Sequence, residues 1–313
     1  MNHQTSSTYL ATYRHSPSEL DVFRKWRFNR GLKRSRRLVH SRSRSLDASF
    51  RAHYATGVER DRLLKGVSSL EFERTKRILS RFLPTRRARI LDVGGGPGRY
   101  SFWLAGMGHS VHLVDALPLH ITQAQEFQAK SKYPLTSIGL GDARSLDFSD
   151  EFANVILMFG PLYHLVRKRE RLKALSEAHR ILKRNGLFFG AAVSRFTSAI
   201  DGSVRGYIQD PSFMKIIKQD LRNGQHRNPM NRPEYFTTAF FHHPDELQQE
   251  IVQARFRSVE VYAVTGFAWL LPNFDRLWKI PQLRSRLMTI LDRTEREPSM
   301  LGQSDHLLVV ARK

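Results

Sequence analysis

Residues 90–98 read Ile-Leu-Asp-Val-Gly-Gly-Gly-Pro-Gly. A short apolar run ends in a carboxylate and then in a cluster of residues without Cβ. That pattern predicts a strand, a tight turn whose backbone can approach a ligand closely, and a helix leaving from about residue 98 to 106. The glycines fall at 94, 96 and 98. A dinucleotide fingerprint, Gly-x-Gly-x-x-Gly, needs glycine at 99, where Arg99 stands, so pyrophosphate binding is weakened. No Gly-Lys-Ser/Thr follows, which excludes a phosphate loop of the Walker type.

The rest of the chain keeps this strand–helix rhythm. Apolar runs at 89–93, 110–115, 136–140, 155–159 and 187–193 predict strands. Between them, 69–83, 118–130 and 167–183 carry helical periodicity; Pro84 ends the first of these and Asn185-Gly186 caps the last. The run 155–159 is apolar throughout, which marks a strand buried on both faces of a parallel sheet. Beyond residue 193 the rhythm changes. Residues 195–243 are rich in aromatics and show no clear strand. A helix at 244–255, a strand at 258–264, a second insertion at 266–303 and a last strand at 306–311 follow. The fold class expected is α/β: a Rossmann-like, doubly wound, mostly parallel seven-stranded sheet. Its last strand is antiparallel and at an edge, and a helical, aromatic cap lies over it.

Composition sets the boundaries. At 313 residues and 41% hydrophobic, the chain can bury a sizeable core. Residues 1–49 hold 11 Lys and Arg against 3 Asp and Glu. They are expected to be a basic, disordered extension with a short amphipathic helix around Leu20, Phe23 and Trp26 as the alternative, and the catalytic domain is expected at 50–313. The formal charge of +22 is spread along the chain, so it fits a generally basic protein and also a nucleic-acid partner. There is no cysteine, which removes disulfides and thiol chemistry. No apolar run reaches the roughly 18–20 residues that span a bilayer, and a cytoplasmic location is expected. No cluster of His, Asp or Glu has a metal-ligand spacing.

Two further acids stand at the ends of predicted strands. Asp115 ends the second, and a carboxylate there can accept hydrogen bonds from both hydroxyls of a ribose. Asp142, before Ala143, follows the third, where it can meet an adenine amino group. Three βα turns would then converge on one nucleoside at the carboxyl ends of the strands. The alternative for each acid is a helix cap or a surface turn.

These residues, with Met158-Phe159-Gly160-Pro161-Leu162-Tyr163-His164-Leu165, resemble class I S-adenosylmethionine-dependent methyltransferases, in particular the bacterial small-molecule-type group. The resemblance spans roughly 50–313. It implies S-adenosylmethionine as cofactor, with Gly94, Gly96 and Gly98 around its methionine part. Asp92 would support the turn or the amino group, Asp115 the ribose, Asp142 and Ala143 the adenine, and Phe159 would complete the site. It also implies that the segment carrying Arg51, Tyr54 and Arg62 closes over the cofactor. The reaction would be an in-line displacement in which the protein supplies alignment and a dry pocket. For a hydroxyl acceptor a base is needed, and His164, His242 and His243 are the candidates. Tyr163 is a candidate for stacking on the acceptor or approaching the sulfonium.

The Asn/Asp-Pro-Pro-Tyr/Phe pattern of enzymes acting on nucleobase amines is absent at 160–163, and so is the cysteine of pyrimidine C5 methylation. An O- or N-methyltransferase for a small organic acceptor is therefore the leading expectation. Alternatives are an RNA or protein methyltransferase and a non-catalytic cofactor-binding protein. Phe196, Tyr207, Phe213, Tyr235, Phe236, Phe240 and Phe241 are expected either to line the acceptor pocket or only to pack the cap, and residues 266–303, with Trp269 and Trp278, to complete its wall.

Overall fold

Strand β1 (Arg89–Val93) lies between two parallel partners, β2 (Ser110–Asp115) and β4 (Ala153–Met158). Its residues alternate between two cores. Leu91 and Val93 face one, with Ile156, Met158, Phe188 and Val309; Ile90 faces the other, with Val111, Leu113, Leu157 and Leu308. This is the period of two imposed by a pleated strand. Each side is covered by helices, as a parallel sheet requires. Leu175 and Ala178 of α6 (Lys168–Ile181) and Leu247 and Ile251 of α9 (Pro244–Gln253) cover the first. Ile78 and Leu79 of α2 (Gly66–Ser80), Leu104 of α3 (Arg99–Gly106) and Ala124 of α4 (Pro118–Lys130) cover the second.

The computed structural model describes residues 48–313. The expectations for the basic extension, including Leu20, Phe23 and Trp26, lie outside the described residues. The first described element is α1 (Ala48–Ala55).

With β3 (Ser137–Leu140), β5 (Leu182–Ser194), β8 (Arg257–Ala263) and β9 (His306–Arg312), the sheet runs β3-β2-β1-β4-β5-β9-β8. These are the seven strands expected, and β9 is antiparallel to β5. One expectation fails: β9 is not at the edge but between β5 and β8. The reason is visible in its residues. Leu307–Leu308–Val309–Val310–Ala311 are all buried, whereas β8 exposes Arg257 and Ser258 and can take the margin.

The cap adds two strands that the sequence pattern did not disclose. The short β7 (Ala239–His242) pairs with the end of β5 through Val193 and Ser194, and β6 (Gln225–His226) pairs with β7. A four-residue apolar run is too short to announce itself without its partner. The expected helix cap at Asn185-Gly186 also moves. The helix stops at Ile181, and Asn185 takes φ +60° inside β5.

Two buried ion pairs tie helices together. Arg171 of α6 donates to both oxygens of Glu250 on α9, at 2.8 and 2.6 Å, and its guanidinium lies 3.5 Å from the centre of the Phe240 ring. Arg74 of α2 reaches Glu295 at 2.6 Å and also Asp292 of α11 (Pro281–Thr294). Among the described residues no helix is long and apolar enough to cross a membrane.

Candidate active site

The turn after β1 is held from below and behind. Gly94 donates its N–H to Val114 O at 2.7 Å and has φ +76°. A Cβ on Gly94 would stand 2.6 Å from Pro161 Cδ, so only glycine brings this backbone to the cavity edge. Asp92 lies under the turn. It is fully buried, accepts a hydrogen bond from Ser101 Oγ at 2.6 Å, and leaves a Cβ on Gly95 no room, with Oδ2 at 2.6 Å. Burial, with the nearby Asp115 charge adding to it, pushes its carboxyl up to about 7 against the Ser101 hydrogen bond.

A cavity opens above the turn, bounded by Gly94, Gly95, Gly96, Pro97, Asp115, Asp142, Ala143, Phe159, Tyr163 and His164 among others. Most residues anticipated for a cofactor are thus brought together. Two are not. Asp92 and Gly98 do not line the cavity. Asp92 supports the turn from below; Gly98, at φ +92°, starts α3 and faces Phe102 and Leu113.

Asp115 is fixed on three sides. It accepts from Gly96 N at 2.9 Å and from Leu117 N at 2.9 Å, and Oδ1 lies 3.0 Å from His120 Nδ1. Such anchoring presets a carboxylate for a diol without further ordering. Asp142 is half exposed and bound to Arg144 at 2.6 Å; that guanidinium holds its carboxyl below the ordinary range despite partial burial. The rings of Phe159 and Tyr100 meet edge to face with their centres 5.1 Å apart, and both line the cavity.

The N-terminal segment forms the roof. Tyr54 on α1 is buried, its hydroxyl 2.9 Å from His164 Nε2 and its ring edge-on to His120. Arg99 pins the roof by donating to Asp61 at 2.6 Å and to Arg60 O at 3.0 Å.

The three candidate bases separate. His164 lines the cavity, on the short α5 (Pro161–His164), but burial lowers its imidazolium to about 3, so the ring is neutral and weakly basic. Tyr163 lines the cavity beside it, its phenol pushed up by burial, and it rests on Val193 of β5 and on Ala239 and Phe241 of the cap. His242 does not reach the cavity. It is fully buried on β7, with Nε2 3.5 Å from Glu250, where burial lowers its pKa. His243 is half exposed and its side chain caps α9, accepting from Asp245 N at 3.3 Å.

The cap resolves one open alternative, in favour of packing, and corrects the expectation that residues 266–303 complete the wall. None of residues 195–243 or 266–303 lines the cavity. Phe213 and Tyr235 form a separate core with Ile216 and Ile217, and Trp278 stacks on Phe274. The wall opposite the glycine turn comes instead from Arg62, Glu71, Thr75, Tyr100, Val264 and His306. Of these only Arg62 was singled out from sequence. A glutamate inside the apolar stripe of α2, between Leu70 and Phe72, was the signal for Glu71; His306, the first residue of an apolar strand, gave none.

A glycine turn, a fixed carboxylate on the neighbouring strand and a third acid beyond it, all at the carboxyl ends of a doubly wound sheet, define a nucleoside-cofactor-binding enzyme. Known proteins narrow the class. The methyltransferase-domain family matches residues 90–186. The ubiquinone/menaquinone biosynthesis C-methyltransferase UbiE of Ruegeria sp. is 33% identical over 179 residues, covering 46% of this chain and 70% of that protein. The glycine/sarcosine N-methyltransferase of Parasynechococcus marenigrum is 34% identical over 110 residues, but the match spans only 39% of its length. In fold, S-adenosylmethionine-dependent methyltransferases from Methanosarcina mazei and Mesorhizobium loti superpose with TM-scores of 0.51 and 0.52 at 20% and 15% identity. They cover 75% and 78% of this chain and 96% and 100% of their own. The chain belongs to the class I S-adenosylmethionine-dependent methyltransferases, and S-adenosylmethionine is its cofactor. The cradle at Gly94 that a Cβ would fill and the preset Asp115 carboxylate fit that cofactor.

Proposed function

We infer that the enzyme methylates an O or N atom of a small organic acceptor held in the cavity between the glycine turn and the Arg62–Glu71–His306 wall. The observation that carries this reading is the cavity's own charge. Four carboxylates line it, Glu59, Glu71, Asp115 and Asp142, against two guanidiniums, Arg62 and Arg99, and the imidazolium of His306, which Glu71 and Asp305 raise to about 9 despite its burial. Both guanidiniums are bound to carboxylates, Arg62 to Glu59 and Glu71 and Arg99 to Asp61. A phosphate backbone gains nothing by entering such a site, so the overall positive charge gives little support to a nucleic-acid substrate. The Tyr54 roof further favours a ligand small enough to be enclosed.

When bound, S-adenosylmethionine supplies a methyl group activated by the adjacent sulfonium. Gly94, Gly95 and Gly96 would hold its methionine part, Asp115 its ribose, Asp142 and Ala143 its adenine. Phe159 and Tyr100 offer apolar ring surface to the acceptor, and the roof keeps water out, which strengthens every electrostatic contact inside. Of the relatives named above, one is by its name an N-methyltransferase for glycine and sarcosine, which supports a small acceptor, and the other is a C-methyltransferase.

The test has two stages. Thermal stability is measured with and without S-adenosylmethionine and S-adenosylhomocysteine; cofactor at about 100 times its dissociation constant should add about 2.7 kcal/mol. Enzyme and labelled cofactor are then incubated with fractionated cell extract. Label in the small-molecule fraction supports this reading. Label confined to RNA or protein overturns it, and cofactor binding without any labelled product favours a non-catalytic role.

A further inference from the structure

Asp115 is held firmly in place, and the bonds that hold it limit what it can still accept. A carboxylate has two oxygens with about four lone-pair positions between them. Oδ1 already takes two donors, Leu117 N at 2.9 Å and His120 Nδ1 at 3.0 Å, and Oδ2 takes Gly96 N at 2.9 Å. About one position is left, on Oδ2. A ribose presents two hydroxyls on adjacent carbons, and each needs an acceptor once water is excluded. The second hydroxyl therefore calls for another group beside Asp115.

His120 stands there. It is the third residue of α4, and its side chain is buried yet lines the cavity. A Cβ on Gly96 would be 3.9 Å from its Nδ1, so the ring lies against the glycine turn. A carboxylate oxygen can only accept, which puts the ring hydrogen on Nδ1 and leaves Nε2 with a lone pair. Nε2 is buried and has no hydrogen-bond partner among the described residues. One ring carbon separates it from the nitrogen that holds Asp115, so the two acceptors lie side by side. Tyr54 covers the imidazole, edge to face with ring centres 5.4 Å apart. Glu59, the other carboxylate near Gly96, turns both oxygens to Arg62 Nε at 3.0 Å.

We propose that the two ribose hydroxyls of S-adenosylmethionine are divided between two residues, one donating to Asp115 Oδ2 and the other to His120 Nε2. His120 is then a cofactor-binding residue as well as the group that positions Asp115. This rests on Asp115 being the ribose carboxylate, and it replaces the expectation that this carboxylate takes both hydroxyls alone. With the cofactor bound, both nitrogens of the His120 ring have partners, and the Tyr54 roof no longer covers an unmet acceptor.

The test measures, by calorimetry on the full chain, the affinity for S-adenosylhomocysteine and for its 2′-deoxy and 3′-deoxy analogues. In the unaltered protein each analogue should bind about tenfold more weakly, because each leaves one acceptor unmet. His120→Asn keeps an amide donor for Asp115 at the Nδ1 position and removes the acceptor at Nε2. S-adenosylhomocysteine should then bind about tenfold more weakly, and one analogue, but not the other, should bind this variant as well as S-adenosylhomocysteine does. His120→Phe, which keeps a ring beneath Tyr54, should show the same one-sided loss and carries the test if the smaller side chain unsettles the helix. Deficits that persist for both analogues overturn the proposal, because the imidazole then touches neither hydroxyl. Deficits that vanish for both overturn it as well, because His120 then acts only by holding Asp115. An analogue that matches S-adenosylhomocysteine on the unaltered protein overturns it without any variant. Undiminished affinity in Asp115→Ala would instead sink the underlying reading of Asp115 as the ribose carboxylate.

Discussion

Asp92 offers a quantitative check on the buried foundation of the cofactor turn. Its side chain has no exposure, its Oδ2 accepts from Ser101, and its Oδ1 has no hydrogen-bond partner. Desolvation raises its carboxyl from 3.8 to about 7. The sign follows from proton binding. Between those two pH values the folded chain holds a proton that the unfolded chain has lost. Stability from this site is therefore full below about 4, falls as pH rises, and is gone above about 7. At about 1.4 kcal/mol per tenfold change, the interval amounts to about 4 kcal/mol. Asp92→Asn stays neutral and keeps an acceptor for Ser101. The expected result is that the mutant's stability relative to the unaltered protein rises by about 2–3 kcal/mol between pH 5 and pH 8. Urea unfolding at four pH values measures this directly. A mutant-minus-parent difference that stays flat over the range would refute the argument, because Asp92 would then ionise in the fold as readily as in the unfolded chain. Affinity for S-adenosylhomocysteine should change little, since Asp92 is beneath the turn rather than in the cavity.

Other outcomes follow from the same geometry. Asp115→Ala should cost about 10–100-fold in S-adenosylhomocysteine affinity by calorimetry, as hydrogen bonds to a charged group are worth about 1.5–3 kcal/mol each. Gly94→Ala puts a Cβ 2.6 Å from Pro161 at φ +76°, and should destabilise the fold by about 1–3 kcal/mol and abolish the cofactor thermal shift. Arg171→Met leaves Glu250, whose carboxyl the guanidinium and His242 hold down to about 2, buried without its main partner. It should cost about 3–5 kcal/mol by urea unfolding. Cofactor affinity below the transition should be retained, because Arg171 does not line the cavity.

Replacing His164 by Phe should leave the pH profile of turnover between 5 and 8 without any lost limb, because the ring is already neutral there. A limb near pH 6.5 that vanishes in the mutant would contradict the burial argument.

Much was legible in the residues themselves. The strand–glycine–helix junction at 90–98 is a local event, set by apolar burial on one side and the absence of Cβ on the other. Asp115 and Asp142 could be placed because a parallel sheet sends every strand's carboxyl end to the same edge. The seven core strands followed from apolar runs of strand length. What failed depends on contacts between distant segments. β7 exists because Val193 and Ser194 extend beyond the sheet to pair with it, and its own four residues could not show that. His242 and the cap aromatics carried the right chemistry, yet packing directed His242 to Glu250, Phe213 and Tyr235 into the cap's own core, and Phe240 onto Arg171. Glu71 and His306 are 235 positions apart in sequence. Only the antiparallel entry of β9 beside β5, with α2 laid over them, brings them together. Sequence by itself determined where the glycine turn and its partner acids Asp115 and Asp142 come together, since consecutive βα turns of fixed polarity bring them to one edge. The tertiary structure alone decided what lines the cavity beyond that turn, because that wall is assembled from a helix, a turn and a strand joined only by long-range packing.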